Sequence, residues 1–308
     1  MLEPIHPLDR SKLLQLGNPE YENFLKEFFA WQLQQDGADL TTELLLPEPQ
    51  AAEARVIAKE AGVLCGKEEI LFLLKSYDVK SSWKYADGES FTPGSEIMML
   101  SGKATEILLL ERLLLNILSR LSGIATMTHN IVNSLPPEVS LAATRKTLWG
   151  WLDKKAVAQG GGLTHRLGLF DAVLVKDNHL ALCVEGVTGI LEKILQQARE
   201  NPAALKSFWE IEVDNSQDFF TAISILKDQE TKIPGVIMCD NFSAQKIREI
   251  FTHFKKEDFI AKNIFFEVSG GIRPENIQEY AVSGVDIISA GFLTHTSRPI
   301  DFSLETKV

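Results

Sequence analysis

Cysteine is scarce in this chain and scattered. Cys65, Cys183 and Cys239 are an odd number at unrelated spacings, which argues against a disulfide framework and against a zinc site. No uncharged apolar run is long enough to span a bilayer. The most apolar stretch, ILLLERLLLNILSRL (107–121), carries Glu111, Arg112 and Arg120, and charge at that density argues against a membrane segment. No basic stretch followed by an apolar core opens the sequence, so a secretory signal is not expected and the cytoplasm is the expected compartment. There is no G-x-S-x-G elbow, no cysteine in a catalytic setting and no G-x-G-x-x-G after the first strand. Acyl-enzyme chemistry and hydride transfer are therefore poor expectations. Net positive charge is lacking too. The formal net charge is −11, and a nucleic-acid partner would want a broad basic face.

What is present is a local concentration of cations. Arg145, Lys146, His165, Arg166 and Lys176 fall between residues 145 and 176, each near the end of a strand-like apolar run or after a glycine triplet. A basic pocket on an acidic protein suggests a small polyanionic ligand.

The two halves differ in texture. Residues 1–115 mix a helix with short strands. YENFLKEFFAWQLQQDG (21–37) has helical spacing, is expected to place Phe24, Phe28 and Trp31 on one face, and stops at Gly37. RVIAKEAGVLCG (55–66) reads as strand, turn, strand, and Asp87-Gly88 and Pro93-Gly94 as further turns. Residues 104–121 form a helix apolar nearly all round, with Arg112 and Asn116 sharing a face. From about residue 139, unbroken apolar runs alternate with helical patterns: VSLAAT, AVLVK, FWEIEV, VIMCD, NIFFEV and DIISAG. Unbroken runs suit strands buried on both faces, and strand–helix alternation means a parallel sheet, here expected to close toward a (β/α) barrel.

A barrel gathers its strand ends around one mouth. Arg145 and Lys146 can grip a carboxylate or phosphate. Lys176 can serve a ligand or pair with a neighbouring aspartate. Glu210, Glu212 and Asp214 share one side of a strand, and Asp240 ends the next. Such carboxylates either ion-pair with the nearby cations or hold Mg²⁺, bound mainly through water and substrate phosphate. Ser269-Gly270-Gly271 and Ser289-Ala290-Gly291 follow the last two strands, where freed backbone N–H groups suit a phosphate. His295 can contact the same phosphate or cap a helix.

Taken in order, these segments resemble the quinolinate phosphoribosyltransferase family. The resemblance runs through GADLTT (37–42), AGVLCG (61–66), DGESFTPG (87–94) and ERLLLNILSRLSGIAT (111–126). It continues through TRKT (144–147), GGGLTHRLGLFDAVLVKDNH (160–179), EIEVDN (210–215), DNF (240–242), SGGI (269–272) and ISAGFLTHT (288–296). It implies an α/β fold with an N-terminal α/β sandwich domain, 1–115 joined by the tail 292–308, and an incomplete TIM-like (β/α) barrel, 116–291. It implies phosphoribosyl transfer from phosphoribosyl pyrophosphate to quinolinate with decarboxylation, Mg²⁺ as cofactor, and a homodimer with shared sites or a higher homo-oligomer. Arg112 would reach into the partner's site. Arg145, His165, Arg166 and Lys176 would surround the acceptor carboxylates, with Lys146 between acceptor and donor. Glu212 and Asp240 would hold Mg²⁺ and the ribose hydroxyls, and the Ser269–Gly271 and Ala290–Gly291 loops the 5-phosphate. The catalytic set implied is Lys146, Glu212 and Asp240. A nicotinate-specific transferase, a non-catalytic relative and an unrelated sugar-phosphate barrel are the alternatives.

Three departures stand out. After TRKT the chain reads Leu148-Trp149-Gly150-Trp151-Leu152 where the family has Pro-Gly-Leu-Arg, which is expected to place two tryptophans near the pocket. Thr164 stands where asparagine is common, and the connection before IPGVIMCD is longer than usual.

Overall fold

In the computed structural model, which describes residues 6–229, 231–253, 259 and 262–307, helix α1 (Pro19–Asp36) starts at a built cap. Asn18 accepts the Glu20 N–H at 3.1 Å, and Pro19 supplies a φ suited to the first turn. Gly37, at φ +70°, ends the helix. Its buried face is Tyr21, Leu25 and Phe29, one position on from the face expected. Phe24 and Phe28 flank that face, and Trp31 is 57% exposed.

There follow α2 (Leu40–Leu45), β1 (Ala51–Ala58), β2 (Gly62–Val63), α3 (Lys67–Leu74), β3 (Val79–Trp83), β4 (Ser90–Phe91), β5 (Glu96–Lys103) and α4 (Ala104–Val132). The second half comprises β6 (Ser140–Ala142), α5 (Trp151–Gln159), β7 (Val173–Val175), α6 (Asp177–Leu182), α7 (Gly186–Glu200) and β8 (Trp209–Val213). It continues with α8 (Ser216–Leu226), β9 (Gly235–Asp240), α9 (Ala244–His253), β10 (Ile264–Ser269), α10 (Ile277–Tyr280), β11 (Ile287–Ser289), α11 (Phe292–His295) and β12 (Phe302–Lys307).

The chain packs as two units. One holds Ser11–Asn130, Trp149–Gly161 and 296–307. Its antiparallel sheet has the order β12-β1-β5-β3, so the chain's end closes the N-terminal sheet. Helix α4 runs past residue 121 to Val132. Gly123 within it admits the Arg298 backbone, because a Cβ there would sit 2.3 Å from the Arg298 carbonyl oxygen. Among its mostly buried positions, Arg112 and Asn116 are exposed. A domain boundary at 115/116 would cut this one helix.

Trp149 and Trp151 also belong to this unit. Trp149 packs edge-on to Phe28 (5.2 Å) and Trp151 lies 5.3 Å from Phe24. Arg120 lies over the Trp149 ring at 5.3 Å and makes a two-bond fork to buried Asp153, 2.7 Å each. The tryptophans therefore bolt the α5 segment to α1 and α4.

The other unit holds residues 6–10, Ile131–Leu148 and Gly162–His295. All six apolar runs read from the sequence are strands of one parallel sheet, in the order β6-β11-β10-β9-β8-β7. Leu163 adds a one-residue bridge to β6. The side where the barrel is incomplete is laced by side chains: Arg166 Nη1 donates to the Ala172 carbonyl at 3.3 Å and Asp171 accepts the Leu167 N–H at 2.9 Å.

Residues 6–10 pack with this unit, not with the sandwich domain to which 1–115 assigned them. Fully buried Leu8 clusters with Ala142, Ala172, Phe208, Val236 and Ile287 at the base of the barrel. Thr164 explains itself here: its hydroxyl accepts the Arg10 N–H at 2.7 Å and donates to the Leu8 carbonyl at 3.1 Å. Arg10 also pairs with Asp171 at 3.1 Å. Leu8→Ala is expected to cost about 2–5 kcal/mol through a cavity that this ring cannot close, read as a lower urea midpoint. An unchanged midpoint would mean the segment does not plug the barrel.

Candidate active site

The C-terminal ends of the parallel strands surround a cavity of about 460 Å³, a volume suited to a small-molecule substrate. Its wall contains Arg145, Lys146, His165, Arg166, Lys176, Glu212, Asp240, Ser269, Gly270 and Gly271, which brings together ten of the residues singled out from the sequence. Ala290, Gly291 and His295 are outside this wall. Ala290 is buried behind it and His295 is exposed. Arg112 belongs to the other unit and is not in the wall. The tryptophans expected near the pocket do not line it either, because their faces are taken by Phe24 and Phe28.

Each side chain is placed by its strand. Arg145 and Lys146 follow β6. The Thr294 hydroxyl, fully buried in α11, donates to the Lys146 carbonyl at 2.7 Å. Gly291 leaves room for the lysine stem: a Cβ there would lie 3.0 Å from Lys146 Cδ. Lys176 ends the β7 segment and pairs with Glu212 of β8 at 2.8 Å. Asp240 ends β9. Burial pushes its carboxyl up, and Glu212 adds to the rise while Lys176 and Lys146 oppose it. Two carboxylates so placed are a sparse, hard oxygen donor set, which fits Mg²⁺ held mainly through water and phosphate.

At the far end, Gly270 (φ +84°) and Gly271 (φ +64°) turn the chain after β10. A Cβ on Gly270 would sit 2.5 Å from the Asn241 backbone nitrogen, so only glycine fits. Asn276 braces the loop through the Gly271 carbonyl at 3.2 Å.

Below the cations lies a buried set that the sequence reading only half found. His165, at φ +54°, directs Nε2 at Glu210 (3.2 Å) and Glu267 (3.4 Å). Burial opposes a charge on the ring, but the two carboxylates outweigh it and raise its pKa to about 9. Burial and then Glu267 raise Glu210 to about 7. Nδ1 accepts the Arg166 N–H at 2.8 Å, which puts the proton of the neutral ring on Nε2, facing the carboxylates. Glu267 also lines the cavity and was missed. Its signal was its place in the strand, two residues before Ser269 and hence on the same face.

A barrel whose strand ends combine cations, two hard carboxylates and a glycine-rich turn has the features of a transferase site for phosphorylated, acidic substrates. Comparison gives the family. The description "Quinolinate phosphoribosyl transferase, N-terminal domain" matches residues 39–122, and the corresponding C-terminal domain matches 124–305. A probable nicotinate-nucleotide pyrophosphorylase [carboxylating] of Methanocaldococcus jannaschii is 40% identical over 275 residues, 87% of this chain and 91% of that protein. Its counterpart in Methanothermobacter thermautotrophicus is 34% identical over 275 residues, covering 87% and 93%. The structure of the nicotinate-nucleotide pyrophosphorylase from Francisella tularensis superposes with a TM-score of 0.77 at 30% identity, covering 93% of this chain and 97% of that one. The chain belongs to the quinolinate phosphoribosyltransferase family.

Gly270→Ala is expected to fold but to raise the KM for phosphoribosyl pyrophosphate about tenfold, because the loop must shift to clear Asn241. An unchanged donor KM would take the phosphate away from this loop.

Proposed function

We propose that this enzyme transfers a phosphoribosyl group from phosphoribosyl pyrophosphate to quinolinate and releases CO₂ and pyrophosphate, giving nicotinate mononucleotide. The observation that carries this reading is the single cavity in which Arg145, Arg166 and Lys176 stand with Glu212, Asp240 and the Ser269–Gly271 loop. One carboxylate needs fewer cations than two, so the set favours a diacid over nicotinate.

The geometry accounts for the steps. Arg145 and Arg166 hold the acceptor carboxylates and so orient the ring nitrogen toward the sugar. The glycine loop holds the 5-phosphate. Mg²⁺, bound at Glu212 and Asp240, would neutralise the leaving pyrophosphate. Lys146 adds positive charge at the same end. As the bond at C1 of the ribose breaks, positive charge on the sugar is offset by Glu212, which Lys176 holds in place. The pyridine nitrogen bonds to C1 and becomes cationic. Its charge then stabilises the electron pair left on the adjacent ring carbon as CO₂ leaves, and that carbon takes up a proton from water. No covalent enzyme intermediate is needed.

The direct test is turnover with Mg²⁺, donor and either acid. Mononucleotide with CO₂ from quinolinate, and a loss of at least about a hundredfold in kcat for Lys146→Ala and Glu212→Ala, are expected. Turnover of nicotinate without CO₂ would overturn the acceptor assignment, and normal turnover by both variants the site.

The shared-site homodimer is part of this reading. Its support is Arg112, an exposed cation next to the buried run Leu113, Leu114 and Leu115 of α4. Inactive Arg112→Ala and inactive Lys146→Ala chains, mixed under conditions of subunit exchange, are expected to regain partial activity. No recovery despite proven exchange would place Arg112 outside the site.

A further inference from the structure

The buried set beneath the cations has a role that the transfer mechanism leaves unused. Glu210 and Glu267 come from β8 and β10, point into the barrel and have fully buried side chains. Among the described residues, none of their four carboxylate oxygens receives a directed hydrogen bond. Buried carboxylates left so bare are strongly unfavourable unless a charge or a proton offsets them. The group within reach is the His165 ring, at 3.2 and 3.4 Å. The ring is also wedged edge-on against Phe208 (5.4 Å, 81°). It is thus fixed from below by packing, at Nε2 by two carboxylates and at Nδ1 by the amide of Arg166.

We infer that Glu267, with Glu210 behind it, is a positioning residue for the acceptor: it fixes His165, and through His165 the start of the Arg166 segment, in the wall that faces the acceptor carboxylates. The inference rests on the proposed acceptor, and it assigns to Glu267 no contact with the reacting atoms. The charged groups facing the ring are Glu210, Glu267, Arg166 beside it and His6 from the N-terminal segment, and Arg145 faces Arg166 in turn.

Glu267→Gln, which keeps shape and removes charge, separates this role from a merely structural one. The expected result is a KM for quinolinate raised about tenfold at pH 8, with kcat and the donor KM within about twofold. The ¹⁵N signals of the His165 ring should shift in the variant as the ring loses its fixed place, with or without turnover. If Glu267→Gln does not fold, Glu210→Gln tests the same pair from behind. An equal rise in both KM values, an unchanged KM for quinolinate, or unchanged ring signals would overturn the inference. A parent enzyme inactive on quinolinate would instead sink the acceptor assignment, and the ¹⁵N signals would still report on the pair.

Discussion

The arrangement depends on charge balance at the ends of buried parallel strands. A chain with a net charge of −11 holds Arg145, Lys146, Arg166 and Lys176 in one cavity wall. Cations placed together in a partly enclosed space repel one another and lose hydration. Part of the positive charge here has carboxylates beside it. Glu212 meets Lys176, Asp171 meets Arg10 at the lacing of the open side, and Glu210 with Glu267 meets His165. The remaining cations of the wall line the cavity, and under the proposed function an acidic acceptor would complete the balance. The family's chemistry therefore needs no nucleophile. As proposed, it needs positive charge held still, and a glycine loop that offers backbone N–H groups to a phosphate.

The departures from the family pattern are absorbed by packing elsewhere. The segment after TRKT lacks the family's Pro-Gly-Leu-Arg but has Trp149 and Trp151, which pack on Phe28 and Phe24. Arg120 joins them through Trp149 and Asp153. Thr164, in place of asparagine, ties residues 8–10 to the barrel through two hydrogen bonds. Neither change removes a group from the cavity wall as it stands, so both read as structural variation within the family.

The sheet was legible because a strand buried on both faces leaves an unbroken apolar run, and all six runs became strands. The cations were legible because they stand directly after those runs. What escaped lacked periodicity or was read at the wrong scale. The N-terminal segment has a single apolar anchor, Leu8, between Pro7 and Asp9, and one side chain makes no pattern. Helix α4 continues through Gly123, Thr126 and Thr128, which look like an ending until their contacts are seen. Gly123 admits the Arg298 backbone, and Thr126 accepts the Val63 N–H at 2.8 Å. Glu267 hid inside an apolar run, where a lone acid looks like an edge residue. The α1 face was misplaced by one position because its aromatics spread over nearly half of the helix circumference, and tertiary contacts decide which of them go inside.

The central claim is that this cation set is matched to two adjacent carboxylates rather than one. Calorimetric binding of pyridine-2,3-dicarboxylate and pyridine-3-carboxylate to the same enzyme tests it most directly. An additional charge-assisted contact at the second carboxylate predicts that the diacid binds at least about tenfold more tightly. Equal affinities, or a preference for the monoacid, would contradict the account.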